Sequence, residues 1–181
     1  MDVLIKHILS SLKYIGMFTP IYLLIRLIYF KLNKIKLNYK KEIVLFVFYI
    51  YFIALISQTI FISLPKNLSN LFSITTDTKI NTNAFLAFTH TYNSLKNNNY
   101  NYLIINLIGN IIAFIPIGIL IPMIYKRKLF EVLLFGFLTS FTIETVQLLL
   151  VRATDVDDIM LNVIGTFIGY LIFRFIIKKH V

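Results

Sequence analysis

IVLFVFYIYFIALISQTIFISL, residues 43–64, is a run of 22 residues without a single charged side chain. At about 1.5 Å per residue a helix of that length measures about 33 Å, enough to cross the hydrocarbon core of a bilayer. Four further apolar runs lie at residues 14–30, 102–125, 129–151 and 159–177, the first the weakest and carrying Arg26 near its end. The 181-residue chain is 58% hydrophobic and 14% charged, with a mean hydropathy of +0.79. Too few polar residues remain to cover a globular surface. The expectation is an all-α integral membrane protein, one domain over residues 1–181, forming a bundle of about five transmembrane helices. Residues 1–99 supply the N-terminal spans and an external loop, and residues 100–177 form the core.

Composition narrows the function classes. Cysteine is absent, which removes disulfides and thiolate metal sites. His7, His90 and His180 are scattered without metal-ligand spacing, and no Gly-rich phosphate loop or nucleophile elbow occurs. The +10 formal charge does not indicate nucleic acid, because Lys residues cluster beside the apolar runs, where the bilayer and its anionic headgroups are the expected partner. The N-terminus has no small-residue cleavage site and reads as an uncleaved interfacial stretch leading into the first span. Abundant Ile, Lys, Asn and Tyr suggest a bacterial source.

Loop charges set an expected orientation. Residues 31–42 hold five Lys, residues 126–128 are Lys-Arg-Lys, and the chain ends near Lys178 and Lys179. Counting Arg26 and Arg174 with their nearest loops, twelve basic residues fall on that side and six on the other. By the positive-inside rule the richer side faces the cytoplasm of a bacterial plasma membrane, with the N-terminus outside and the C-terminus inside. Residues 65–101, with nine Asn and an apolar island at 84–88, read as an irregular external loop.

The remaining polar residues share a depth. Ser140, Glu144 and Gln147 are spaced i, i+4, i+7 on one face of the fourth span. Asn106 and Asn110 sit near the outer end of the third, Asn162 near that of the fifth, and Ser57 and Gln58 in the outer third of the second. Polar groups in hydrocarbon are costly unless partnered. They are expected to line an outer polar cavity, capped by the turn holding Arg152, Asp155 and Asp158. Simpler readings stand beside this one. Asp155, Asp157 and Asp158 open a helix and can cap it, and Asp157 suits that role best. Glu144 can pair with Arg152, and the Asn and Gln side chains can be interhelical glue. Arg26 and Arg174 are expected to snorkel to headgroups. Pro116 should kink the third helix, with Gly109 and Gly118 flanking it, and Gly165 and Gly169 form a small-xxx-small packing face.

The pairing of NLIGNIIAFIPIGILIP (106–122) with ETVQLLLVRATDVDDIMLNVIGTFIGYLI (144–172) resembles the VanZ-like membrane proteins. Their pattern runs N-x-x-G-N, F-x-P-x-G, E-x-x-Q, an Arg, D-x-x-D and N-x-x-G-x-x-x-G. It falls here on Asn106, Gly109, Asn110, Phe114, Pro116, Gly118, Glu144, Gln147, Arg152, Asp155, Asp158, Asn162, Gly165 and Gly169. The resemblance covers about residues 100–172 and implies an accessory protein of glycopeptide resistance that lowers susceptibility to teicoplanin.

The resulting expectation is a cell-envelope protein acting on lipoglycopeptides or lipid-linked wall intermediates through an outward-facing ligand site of Asn106, Asn110, Glu144, Gln147, Arg152, Asp155, Asp158 and Asn162, with no cofactor. Two alternatives remain open. One is a metal-dependent membrane enzyme, with a divalent cation held by Glu144, Asp155 and Asp158 and a lipid-linked phosphate on Arg152. The other is a non-catalytic partner-binding protein.

Overall fold

The computed structural model describes residues 2–34, 37–61, 80, 81, 96, 107–150 and 154–177. Five helices account for nearly all of them: α1 (Asp2–Asn33), α2 (Tyr39–Thr59), α3 (Gly109–Tyr125), α4 (Leu129–Leu149) and α5 (Val156–Phe175). Two residue pairs, β1 (Ile80–Asn81) and β2 (Thr154–Asp155), form a short parallel ladder, Ile80 opposite Thr154 and Asn81 opposite Asp155. Among the described residues four helices are long and apolar enough to cross a membrane, and α3 is a shorter apolar helix. The fold is that of an all-α integral membrane protein. The loop island at 84–88 and the expected start of the third span at 102 lie outside the described residues.

The chain divides into two compact units, Met1–Ile62 and Ser63–Val181. In the first, α1 is one continuous helix of 32 residues, about 48 Å at 1.5 Å per residue. The expected interfacial stretch and the first span are therefore parts of one helix. Pro20 lies inside it. Asn38 caps α2 by accepting from the Lys41 N–H at 3.2 Å. Contacts then run antiparallel along the hairpin: Arg26 with Glu42, Tyr22 stacked on Tyr49 at 4.3 Å, Ser11 with Ser57 at 2.9 Å, and His7 with Gln58 at 2.5 Å.

In the second unit, α5 packs closely on α3 and also against α4. Glycine sets the closeness. A Cβ on Gly165 would land on the Ile111 carbonyl, and one on Gly169 on the Ile115 carbonyl. One on Gly118 would sit 2.6 Å from the Tyr170 nitrogen and 2.8 Å from Gly169 Cα. The partners advance together along both chains, so α3 and α5 run parallel with their backbones touching. Gly136 of α4 performs the same service for Thr166, whose Cγ2 would lie 2.8 Å from an added Cβ. Pro116 and Pro122 lie inside α3. Lacking N–H groups, they deprive the Ile112 and Gly118 carbonyls of their helical donors.

At the far end of α3, Lys126 adopts a left-handed conformation (φ 50°) and its N–H bonds the Pro122 carbonyl at 3.0 Å. Three residues on, α4 begins, with Glu131 accepting from the Lys128 N–H and from Arg127 Nη1, each at 3.0 Å. This turn makes α4 antiparallel to α3.

Candidate functional site

α5 carries two adjacent stripes at helical spacing. Asp157, Leu161, Gly165 and Gly169 form one, Asp158, Asn162 and Thr166 the next. Every member except Asp158 is buried. The second stripe reaches both neighbouring helices. Asn110 Nδ2 on α3 donates to Asp158 Oδ1 at 2.6 Å, tying the first turns of two parallel helices together. Asn162 Nδ2 donates to Ser140 Oγ on α4 at 2.8 Å, and Thr166 Oγ1 donates to the Asn162 carbonyl at 3.0 Å.

The α4 face behaves as its spacing predicts. Ser140 is fully buried, Glu144 is 5% exposed and Gln147 7%. Asn162 is 5% exposed, and its Oδ1 accepts no hydrogen bond among the described residues. Three helices thus gather carboxylates, amides and hydroxyls at the end where α3 and α5 begin and α4 finishes. The ladder brings Ile80 and Asn81, from the long loop, against Thr154 and Asp155 at that same end.

Of the eight expected site residues, five are placed by their side chains: Asn110, Glu144, Gln147, Asp158 and Asn162. Asn110 and Asp158 are in direct contact, while Asn162 bonds Ser140 rather than a member of the set. Asp155 is placed by its backbone in β2. Asn106 and Arg152 lie outside the described residues. Of the residues expected to be structural, Phe114, Gly118, Gly165 and Gly169 are buried, and Gly109 and Pro116 are half-buried.

Three features were not legible as site neighbours. Asp157, expected as a helix cap, is only 4% exposed. Its i, i+4, i+8 relation to Leu161 and Gly165 was the available signal. Thr166 and Gly136 form a contact that spacing on one helix cannot reveal. Ser57 and Gln58 are engaged within their own hairpin, with Gln58 Nε2 donating to the His7 carbonyl at 2.8 Å and to Ser11 Oγ at 2.5 Å. Arg26, expected to reach headgroups, instead holds Glu42 with two bonds, Nε to Oε2 at 2.9 Å and Nη2 to Oε1 at 2.5 Å.

Residues 44–178 match the family model described as VanZ/LLP1, so the match extends from the core back into α2. No curated protein and no solved structure matches the chain.

Proposed function

The chain belongs to the VanZ/LLP1 family, and from that premise we propose that it is a bacterial plasma-membrane protein that lowers susceptibility to teicoplanin-type lipoglycopeptides through an outward-facing polar site. The observation that carries this reading is the Asn110–Asp158 bond, 2.6 Å long, at the head of a layer where Glu144, Gln147 and Asn162 are buried in apolar helices. Burying such groups is costly, and a fold that needed only helix association has Gly165 and Gly169 for that purpose. In this reading Arg152 presents a planar fork to an anionic group of the drug or of a lipid-linked wall intermediate. Glu144 and Gln147 bond its amides or sugars. Asp155 and Asp158 meet its amines, and the acyl tail stays in the bilayer. The chain acts by binding, without a cofactor.

The orientation proposed with it rests on the twelve-to-six division of basic residues, which puts the polar layer outside, the N-terminus outside and the C-terminus inside. Cysteines placed at Asn83 and Ala153 then react with an impermeant thiol reagent on intact cells, and one at Asn38 does not. Labelling at Asn38 alone moves the site to the cytoplasm and ends the proposal.

Function is tested by teicoplanin susceptibility of a sensitive host expressing Glu144→Gln, Asp155→Asn, Asp158→Asn, Arg152→Lys and Arg152→Ala, each at verified membrane abundance. Each single change is expected to remove most of the protection, with pairs no worse than singles, as groups sharing one ligand are non-additive. Arg152→Lys is expected to fail although it keeps the charge, because Lys lacks the fork. Full protection from both Arg152→Lys and Glu144→Gln would reduce the layer to caps and glue.

A further inference from the structure

The opposite end of the α3–α5 pair carries a second site, of different chemistry and independent of the reading above. Because the two helices run parallel, both end there, and their last turns expose backbone carbonyls together. Lys126 and Arg127 follow α3, and Arg174 lies in the last turn of α5. Between them opens a cavity of about 610 Å³, rimmed by these three cations and walled by Pro122, Met123, Tyr170 and Phe173.

The charges are unequally satisfied. Arg127 pairs with Glu131 at 3.0 Å. Lys126 and Arg174, both exposed, form no ion pair among the described residues. Cations at helix C-termini are favourable on their own, since they meet the negative end of the backbone dipole. That explanation requires neither a cavity nor a wall of Met, Tyr and Phe side chains. The volume falls within the range of small-ligand sites, and the lining joins an apolar wall to two unspent positive charges.

We propose that this cavity binds one anionic phospholipid, its phosphate between Lys126 and Arg174 and its glycerol and upper acyl carbons against Met123, Tyr170 and Phe173. The position favours a lipid over a free phosphate. The cavity lies at the ends of membrane-spanning helices, where lipid phosphates are found, and a tailless anion would leave the apolar wall unused. Basic residues at a membrane surface favour anionic lipid, and the roughly tenfold selectivity expected of this pair corresponds to about 1.4 kcal/mol.

The test is native mass spectrometry of the purified full chain in detergent, titrated with phosphatidylglycerol and with phosphatidylcholine of the same acyl chains. The wild-type chain is expected to retain the anionic lipid roughly tenfold more strongly. Lys126→Asn with Arg174→Gln should abolish the preference; Asn suits the left-handed position of residue 126. The charge-keeping pair Lys126→Arg with Arg174→Lys should preserve it. Lys40→Gln with Lys41→Gln, which removes two charges elsewhere, should leave it unchanged. Equal retention of both lipids by the wild type overturns the proposal without reference to any variant. So does an equal loss in the Lys40/Lys41 control, which would mean general surface attraction. Displacement of the lipid by glycerol phosphate at matching concentration would make this a site for free phosphate instead.

Discussion

The α1–α2 hairpin and the α3–α4–α5 unit solve the same problem, holding apolar helices together, by opposite means. The hairpin uses long side chains. Tyr22 and Tyr49 stack, Tyr14 meets Phe61 at 4.4 Å, and His7, Ser11, Ser57 and Gln58 exchange hydrogen bonds across the seam. Its one helical glycine, Gly16, has no atom within 4 Å of an added Cβ. The second unit uses missing side chains. Gly118, Gly165 and Gly169 let α3 and α5 touch through their backbones. In lipid no hydrophobic force drives apolar helices together, so close van der Waals contact and interhelical hydrogen bonds carry association. Two helices separated by only five residues of sequence need less of either, because the connection already holds them near each other. The family match begins at residue 44, inside α2, and runs through the glycine-packed unit to residue 178, leaving α1 outside.

The sharpest way to break this comparison is to place the same bulky residue at a glycine of each region. Gly165→Leu drives a side chain into the Ile111 carbonyl and should cost about 3 kcal/mol or more, or abolish folded protein outright. Gly16→Leu should stay within about 0.5 kcal/mol of the wild type. Circular-dichroism melting in detergent reads both. Equal loss at the two positions would erase the distinction between the regions.

Next in size is the polar contact of the glycine-packed unit. Asn110→Leu removes the donor to Asp158 and should cost about 1–3 kcal/mol. A melting midpoint unchanged by this substitution would mean that glycine packing alone fixes the start of α3 against α5. In the hairpin, Gln58→Leu removes two bonds to His7 and one to Ser11, but none has a carboxylate acceptor, and interhelical bonds of this kind average about 0.6 kcal/mol. A loss of about 1–2 kcal/mol is expected from the same melting measurement. A loss exceeding that of Asn110→Leu would reverse the ranking of the two regions.

The Arg26–Glu42 pair sits near the hairpin's turn with about a fifth of each side chain exposed. A double-mutant cycle on Arg26→Ala and Glu42→Ala should return a coupling of about 0.5–1 kcal/mol, reduced from its geometric promise by solvent screening. The smallest effect belongs to Arg127→Ala, whose partner Glu131 is exposed as well. No change in melting midpoint is expected. A resolvable drop would show that the α3–α4 turn depends on that pair.

How much of the site was legible depended on whether its signal lay within one helix. Ser140, Glu144 and Gln147 share a face by spacing, and all three are buried. Gly165 and Gly169 announce a packing face, and α3 occupies it. Asp157 shows the limit. As a residue in the first turn of a helix it suits a cap, while its place on the Gly165 stripe suits burial, and both facts are visible in the sequence. Only the closeness of the neighbouring helices decides between them. Ser57 and Gln58 show another limit. Their depth matched that of the other polar groups, but depth along a span says nothing about direction around the axis, and across the seam they bond His7 and Ser11 of α1.

The sequence by itself determined that this chain lives in a membrane. An uncharged run of 22 residues and a composition 58% hydrophobic leave no soluble alternative, since water-facing surface requires polar side chains that the chain lacks. It also determined the family, because the spacing of Asn, Gly, Pro, Glu, Gln and Asp over residues 100–172 survives any arrangement of the helices. The tertiary structure alone decided that α3 and α5 lie parallel with backbones touching. It decided that Asn110 meets Asp158, that Asn162 meets Ser140, and that Lys126 and Arg174 face one cavity. Those pairings join residues 22 to 48 positions apart, and their register depends on where glycines admit a neighbouring carbonyl, a property of two surfaces together and not of either sequence segment alone.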